Sequence, residues 1–405
     1  MIYDKDNEID TTENIDDIEE DYELNEFLPT KRRKTHPIRR LILVCLASFA
    51  AITLYIYRDT INISNIKSLF LRLDRNIHNI ESMQIDFASS SHNSYAVYNG
   101  NFALLSTYGL KLFSRNGNTS LDENIIFQNP AMQVNNKVIM TYDRGGNTIT
   151  AFNSSGIQWQ SQTNYPIVCV KVNKNGYFAV ITNEKGYRSI VEVYNKNFEK
   201  IYVWKFANRY ALDVSISPDN SGMVVSAGDA DGGEIFTDIV ILHFNKEEPI
   251  STKRYDGSLF LSVEYKALNT IAAISDNMIS FFDANGTEIS KFLFNDKPLR
   301  SAYTSSPNFN AILLSKDYTG STCSLIIFDD SGNELSSTDI DEKIEQMAVD
   351  QEHIAMLGRE KIFLYNREGK YTKTIDVEID IRQLLLYDGE IVIIGSNRVY
   401  SVLID

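Results

Sequence analysis

Few residues of this chain have the type and spacing that metal or acid–base chemistry needs. The loop GDADGGEIF at 228–236 places Asp229, Asp231 and Glu234 close together, and carboxylate oxygens at such spacing can hold Ca²⁺. The loop lacks the further ligands and the distal Glu of a full calcium loop, so we predict a solvent-exposed hairpin. The five histidines are not at metal-ligand spacing from one another, a cysteine or a carboxylate: His36, His78, His92, His243 and His353. We therefore predict no metal site.

Motifs of the common catalytic classes are missing from the sequence. There is no G-x-S-x-G nucleophile turn, no phosphate-binding G-x-x-x-x-G-K-[ST] loop and no H-E-x-x-H helix. The stretch DRGGNT at 143–148 is predicted to be a hairpin turn rather than a phosphate cradle, since no helix pattern follows it. We predict no catalytic residues, no cofactor and no enzyme activity, and the sequence singles out no cofactor-binding residue.

One apolar run, within IRRLILVCLASFAAITLYIYR at 38–58, determines the expected location. Residues 41–57 carry no charge over 17 positions, which as a helix cover roughly 25 Å and can span a bilayer. The preceding stretch KRRKTHPIRR holds six Lys or Arg in ten residues, and basic residues stay on the cytoplasmic side. We predict a single-pass cell-membrane protein with a cytoplasmic N-terminus and everything after residue 57 outside. A buried core helix and a cleaved secretory signal are the alternatives.

Charge is distributed unevenly along the chain, whose formal net charge is −15. Residues 1–30 hold twelve Asp or Glu and one Lys, with too few large apolar side chains to form a core. Residues 1–40 are therefore predicted to be a disordered acidic cytoplasmic tail that ends in a basic juxtamembrane patch. The tail is either simply solvated or docks a cytoplasmic partner. The acidic exterior part argues against nucleic acid, whose phosphates require a basic face.

Three cysteines occur, and they do not form a disulfide framework. Cys45 lies in the predicted span, whereas Cys169 and Cys323 lie outside it, about 150 residues apart. Because these two belong to different repeats of the chain, we predict two separate buried thiols.

From residue 92 onward the chain repeats, and this is its strongest structural signal. One recurring element is a β-rich run that ends in an aromatic residue and a turn, as in AFNSSGIQ (151–158), FFDANGTE (281–288) and LYNREGKY (364–371). The spacing between successive aromatics ranges from 35 to 50 residues, at the following positions: Phe113, Phe152, Tyr194, Phe244, Phe282, Phe328, Tyr365 and Tyr400.

Ahead of each copy lies a hairpin of two apolar runs, such as VCVKVNKNGYFAVIT at 168–182. Three strands plus one after the turn make the four-stranded blade of a β-propeller. We predict an all-β, eight-bladed β-propeller over residues 81–405, with seven blades, a β-sandwich or a solenoid as alternatives. The stretch ESMQIDFASS (81–90) has strand character and is predicted to complete the last blade and close the ring. Trp159 and Trp204 sit at repeat ends and are predicted to pack blade to blade.

Residues 58–80 link the predicted span to the propeller. Apolar residues recur there at three- and four-residue steps, which predicts one amphipathic helix face: Ile66, Leu69, Phe70, Leu73, Ile77 and Ile80. Ser64 can cap this helix. The helix is either a connector or a self-associating stalk.

Short motifs resemble known propeller families. ISPDNSGMVVS (216–226) resembles WD40-like hairpins of the SPDG type, and GIQWQSQ (156–162) and EKIYVWKFA (199–207) resemble quinoprotein-like repeat ends. The whole of residues 31–405 resembles an uncharacterised family of bacterial envelope proteins, the domain of unknown function 5711. The resemblance implies a membrane-anchored propeller and no enzymatic residues.

These observations favour a non-enzymatic protein that binds or scaffolds other cell-envelope proteins. The alternative is a transmembrane sensor that couples an outside ligand to a cytoplasmic partner through the acidic tail. Deletion of the tail distinguishes the two hypotheses, because a scaffold tolerates the deletion and a sensor does not.

Overall fold

The computed structural model describes residues 84–87, 90, 92–266, 270–306, 309–317, 319–377 and 380–404, together with Ser48. The predicted tail (1–40), the linker helix (58–80) and, apart from Ser48, the predicted span (41–57) lie outside the described residues. Within the described part of the chain, no helix is long and apolar enough to cross a membrane.

The described residues form eight four-stranded antiparallel sheets, which are the blades of a β-propeller. In the first four blades the strands follow one another in chain order. Blade 1 contains Ser94–Tyr98 (β2), Asn101–Ser106 (β3), Gly109–Phe113 (β4) and Thr119–Asn124 (β5); blade 2 contains Pro130–Val134 (β6), Ile139–Asp143 (β7), Thr148–Asn153 (β8) and Gly156–Gln162 (β9); blade 3 contains Ile167–Val172 (β10), Phe178–Thr182 (β11), Ser189–Tyr194 (β12) and Lys200–Phe206 (β13); blade 4 contains Tyr210–Ile216 (β14), Gly222–Asp231 (β15), Glu234–His243 (β16) and Ser251–Asp256 (β17).

The next three blades repeat this order, and the eighth takes its last strand from the other end of the propeller, Gln84–Asp86 (β1). Blade 5 contains Phe260–Tyr265 (β18), Ile271–Ser275 (β19), Met278–Phe282 (β20) and Glu288–Leu293 (β21); blade 6 contains Leu299–Tyr303 (β22), Asn310–Ser315 (β23), Cys323–Phe328 (β24) and Glu334–Ile340 (β25); blade 7 contains Gln346–Val349 (β26), His353–Leu357 (β27), Lys361–Asn366 (β28) and Tyr371–Asp376 (β29); blade 8 contains Ile381–Tyr387 (β30), Glu390–Gly395 (β31) and Arg398–Leu403 (β32).

Strand β1 closes the ring. It pairs antiparallel with β32, with Ile85 opposite Val399, and so occupies the outermost place in blade 8. The prediction that residues 81–90 complete the last blade is confirmed, and eight blades rather than seven are present. Pairing with β1 places β32 inside the blade rather than at its outer edge, where it could pair with another chain.

Burial explains why these sequences form blades. The second and third strands of a blade are nearly continuous apolar runs and are buried on both faces, as in Phe178–Thr182 and Cys323–Phe328. The fourth strands alternate between exposed and partly buried residues, as in Thr119–Asn124, because they form the rim.

Eight clusters of buried side chains hold the ring together, and each is shared by two neighbouring blades. The cluster between blades 8 and 1 contains Ile85, Phe102, Phe113 and Ile394, so the closing strand takes part in this interface. Trp159 of blade 2 packs against Phe178 of blade 3, as predicted for this tryptophan.

The turn after the aromatic has a common physical cause in four of the blades. In blade 5 the Asp283 carboxylate accepts hydrogen bonds from the backbone N–H groups of Asn285 and Thr287, at 2.9 and 2.8 Å. Gly286, with φ 87°, supplies the left-handed residue that the turn requires. The same arrangement recurs at Asn195, Asp329 and Asn366. The repeat seen in the sequence is therefore a repeated turn chemistry.

Candidate functional site

The antiparallel blades give the ring two faces. Turns between the first and second strands and between the third and fourth strands lie on one face, which we call the turn face. Loops between the second and third strands, and the linkers between blades, lie on the other, which we call the loop face. Loops on such a rigid scaffold are the usual carriers of binding function.

A long hairpin extends from the loop face of blade 4. Strands β15 and β16 are 10 residues each, whereas the other strands have 3 to 7 residues. Beyond the pair Tyr210–Gly228 and the hydrogen bond from the Gly257 N–H to the Ile235 carbonyl, this hairpin pairs only with itself, which is an overhang of roughly 10 Å at about 3.3 Å per residue. Gly232 and Gly233, with φ 59° and 94°, form its tip. The predicted exposed hairpin at 228–236 is confirmed.

Next to this hairpin, cations and aromatic rings alternate across the boundary between blades 3 and 4. The Lys205 ammonium lies 4.7 Å from the centre of the Tyr187 ring, and the Arg188 guanidinium lies 4.9 Å from that of Tyr210. The Arg188 guanidinium also donates a hydrogen bond to the Tyr210 hydroxyl. Both tyrosines are 39% exposed, so the rings are available to a partner. Pairs of this kind contribute about 0.5–1 kcal/mol each at exposed sites.

The alternation continues at the base of the hairpin. The Phe236 ring contacts two guanidinium groups, with Arg254 at 4.0 Å and Arg209 at 5.7 Å from its centre. Both arginines form ion pairs with Asp238, which is 1% exposed. Hydrogen bonding to Asp238 raises the pKa of Arg254. One buried carboxylate thus positions two arginines beside the same ring.

We name these seven residues the cation–aromatic row: Tyr187, Arg188, Lys205, Arg209, Tyr210, Phe236 and Arg254. Sequence reasoning did not find it, since its members come from four separate segments, 187–188, 205–210, 236 and 254. The available signal was a Tyr beside an Arg at 187–188 and again at 209–210, where loop sequences are ordinarily polar. Tyr and Arg are the residues most enriched at interaction hot spots.

The inner strands carry a second set of polar and charged side chains, which form hydrogen bonds from one blade to the next. Asp213 of blade 4 accepts a hydrogen bond from the backbone N–H of Val263 in blade 5, at 3.1 Å. Gln346 of blade 7 likewise accepts from the N–H of Leu384 at 3.1 Å and donates to the carbonyl of Arg382 at 2.6 Å in blade 8. Such bonds satisfy backbone N–H and C=O groups of the innermost strand of a blade, which has no neighbouring strand on its inner side.

Blades 3 to 6 meet in a charged cluster near the ring centre. The Lys171 ammonium is 3.0 Å from the Asp213 carboxylate. The Lys266 ammonium is buried and donates to the carbonyl of Thr304 at 2.6 Å, and burial lowers its pKa. Burial also raises the pKa of Glu264 to about 7, an effect that nearby Lys171 and Lys266 oppose and Asp213 reinforces. The Lys171–Asp213 ion pair joins blades 3 and 4, and the Lys266–Thr304 hydrogen bond joins blades 5 and 6, so the cluster connects blades.

Histidines and cysteines are placed as the sequence predicted where the structure describes them. His243 and His353 lie in blades 4 and 7, and His36 and His78 lie outside the described residues. Cys169 and Cys323 are free thiols in blades 3 and 6, which confirms two separate thiols. Cys323 is buried as predicted, whereas Cys169 is only partly buried, and desolvation raises its pKa to about 12. Cys45 lies outside the described residues.

Metal-ligating side chains do not converge in the described ranges. No three His, Cys, Asp or Glu residues there could together hold a metal ion, and this includes the carboxylates of the blade 4 hairpin. A separate open groove of about 410 Å³ lies at the rim between blades 3 and 4, lined by Tyr202, Trp204 and Phe244 among others. Trp204 packs there against the core cluster that blades 3 and 4 share, as predicted.

Comparison with known proteins gives a family and a fold. The model of the family of unknown function DUF5711 matches residues 75–404. No curated protein sequence matches the chain. Among solved structures, the C-terminal WD40 domain of Sif2 is 12% identical, covering 81% of this chain and 100% of that one, with a TM-score of 0.57. Sqt1 of Saccharomyces cerevisiae is 10% identical, covering 80% and 97%, with a TM-score of 0.55.

A bacterial propeller also resembles the chain. BamB from Moraxella catarrhalis is 13% identical, with coverage of 80% of this chain and 97% of that chain and a TM-score of 0.48. At these identities the solved structures show the propeller fold alone.

Proposed function

The chain belongs to the family of unknown function DUF5711, and we propose that it is a membrane-anchored propeller outside the cytoplasm that binds or scaffolds other cell-envelope proteins. The observation that carries the proposal is the blade 4 hairpin, which overhangs the loop face beside exposed aromatic and basic side chains. A rigid ring that presents such a surface is suited to binding another protein. The proposed role is non-enzymatic.

The anchoring rests on the sequence. Residues 41–57 form an uncharged run behind a basic stretch, so the tail lies in the cytoplasm and the propeller outside. Single cysteines at the hairpin tip (Asp231→Cys) and in the tail (Asp21→Cys) test this topology. In intact cells, a membrane-impermeant maleimide labels only the Asp231→Cys protein above the parent's background. Labelling of the Asp21→Cys protein alone overturns the topology.

Binding is tested by crosslinking in cells followed by co-purification of the full-length protein. The test variant lacks Ala230, Asp231, Glu234 and Ile235, which removes two cross-strand pairs and keeps the register and the Gly232–Gly233 tip. A second variant lacks residues 1–30. We expect envelope proteins to co-purify with the parent and the tail-deleted protein, and to be lost from the shortened hairpin.

Other outcomes contradict the proposal in distinct ways. Envelope partners that persist when the hairpin is shortened remove the blade 4 hairpin as the binding element. Cytoplasmic partners that disappear with the tail favour a sensor that couples the outside to the cytoplasm. A chromophore or stoichiometric metal in the purified protein, found by absorption spectroscopy and metal analysis, overturns the non-enzymatic role.

A further inference from the structure

At its blade 3 end, the cation–aromatic row holds two cations without a carboxylate partner. In the described ranges Arg188 and Lys205 form no ion pair with a carboxylate, although each lies against a tyrosine ring. Arg209 and Arg254 pair with Asp238, and the charges of Asp256 and Asp231 also act on Arg254. Arg188 and Lys205 are therefore the cations of the row that an acidic partner can pair with, on a protein whose residues 84–405 contain 39 Asp or Glu against 28 Lys or Arg.

The row is continuous across two blades. The backbone N–H of Arg188 donates to the carbonyl of Phe206 at 2.9 Å, which fixes the loop of blade 3 against the linker to blade 4. The hydroxyl of Ser189, the next residue, accepts from the N–H of Ala211 at 3.1 Å. Tyr210 lies between these bonds and begins strand β14. The backbone thus holds the cations and rings in fixed relative positions, which reduces the entropy lost on binding.

The adjacent hairpin limits what the row can accept. Asp229, Asp231 and Glu234 lie on one side of the overhang, because Asp231 is directly opposite Glu234 and Asp229 is two residues away. Asp229 is directly opposite Phe236, and Asp231 and Glu234 lie two residues nearer the tip, roughly 7 Å further along the hairpin. A long polyanion that follows the row to Phe236 therefore meets these carboxylates, whereas a short acidic segment can be confined to Arg188 and Lys205.

We propose that the cation–aromatic row binds a short acidic polypeptide segment of the envelope partner; this inference rests on the proposed function. Carboxylates of the segment pair with Arg188 and Lys205, and apolar side chains between them contact the exposed rings of Tyr187 and Tyr210. The partner carries basic residues where it meets the acidic hairpin tip. This combination of charge and aromatic contact sets which partner is bound and in which orientation.

The test measures binding of a labelled peptide, EEFEEFEE, to the full-length protein in detergent by fluorescence anisotropy. The control peptide QQFQQFQQ keeps the rings and loses the charge. The test variant is Arg188→Glu/Lys205→Glu. Its matched control is Lys196→Glu/Lys246→Glu, which makes the same change in net charge at two exposed lysines on the turn face of blades 3 and 4. Far-ultraviolet circular dichroism and the midpoint of thermal unfolding verify that each variant is folded.

We expect the acidic peptide to bind the parent and the turn-face control equally, and the Arg188→Glu/Lys205→Glu protein at least about tenfold more weakly. Binding weakens as salt rises, and the glutamine peptide does not bind. Equal binding by Arg188→Glu/Lys205→Glu and the parent overturns the proposal. Tight binding of polyphosphate or of anionic lipid vesicles in place of the peptide overturns it in favour of a polyanion or a membrane surface.

The crosslinking experiment separates this inference from the proposed function. If the Arg188→Glu/Lys205→Glu protein keeps its envelope partners while the shortened hairpin loses them, the loop face is the binding element but the proposed acidic segment is wrong. If both variants keep them, the proposal that the loop face binds the partners is wrong. Loss of the same partners from both variants supports both inferences.

Discussion

The Trp159 indole of blade 2 lies parallel to the Phe198 ring of blade 3, with the ring centres 5.4 Å apart and the planes 7° from parallel. Phe198 has φ 65°, and it occupies the turn position that Gly117, Gly286, Gly332 and Gly369 hold in other blades. A bulky residue with positive φ is strained, at a cost of roughly 1–2 kcal/mol. The contact with Trp159 offsets that strain.

Replacing Phe198 by Gly tests this balance. The substitution relieves the backbone, but it removes the stacking, worth about 0.5–1.5 kcal/mol, and the partial burial of a large apolar side chain. We expect Phe198→Gly to lower the free energy of unfolding by about 1–3 kcal/mol in urea titrations. Trp159→Leu completes a double-mutant cycle, in which the two changes should be non-additive. A variant as stable as the parent shows that the strain outweighs the stacking.

The turn motif gives a second prediction. Asp283→Ala leaves the N–H groups of Asn285 and Thr287 without their shared acceptor, so we expect the free energy of unfolding to fall by about 1–2 kcal/mol. Asp283→Asn keeps a side-chain oxygen in the same place and should lose less than half as much. Urea unfolding of both variants is the measurement. Equal losses indicate that charge rather than the acceptor geometry stabilises the turn.

Closure of the ring gives a third prediction. Ile85 is 3% exposed and packs between blades 8 and 1, so Ile85→Ala leaves a cavity and should cost about 2–5 kcal/mol. The next residue, Asp86, is exposed and makes only a 3.4 Å surface ion pair with Arg398. Asp86→Ala should therefore change stability by less than about 1 kcal/mol. Similar unfolding midpoints for Ile85→Ala and the parent contradict a closing role for β1.

The propeller could be predicted because its information is local and repeated. An aromatic, an Asn or Asp and a Gly in order encode the same turn in blades 5, 6 and 7, and ESMQIDFASS reads as a strand on its own. The cation–aromatic row is different. Arg188 meets Tyr210, and Arg254 meets Phe236, only because a loop, a linker and an outer strand converge after the blades have packed. Spacing along the chain does not encode that convergence.

The inner cluster was also beyond sequence reasoning, because Lys171, Asp213 and Glu264 are scattered over three blades. Each looks like an ordinary surface charge on a strand. Their meeting at the ring centre depends on contacts between the first strands of neighbouring blades, which the repeat pattern does not specify. Burial then gives Glu264 a property that no local motif predicts, a pKa of about 7.

That raised pKa makes the stability of the propeller depend on pH in a defined direction. The ordinary pKa of a glutamate is 4.5, so between pH 4.5 and about 7 the folded state holds a proton on Glu264 that the unfolded state has released. The free energy of unfolding therefore falls as pH rises through this window and levels off above it. The upper limit of the Glu264 contribution is about 3 kcal/mol, at 1.36 kcal/mol per unit.

Glu264→Gln isolates this contribution, since glutamine does not titrate and is close in size. The charged or ionisable neighbours Lys171, Asp213, Lys266 and Tyr303 are left unchanged. We expect urea titrations at pH 5, 6, 7 and 8 to show a smaller decline for the variant than for the parent, and greater stability of the variant at pH 8. Glu360→Gln, at an exposed site, should follow the parent throughout. If the Glu264→Gln curve falls as steeply as that of the parent, another group governs the dependence.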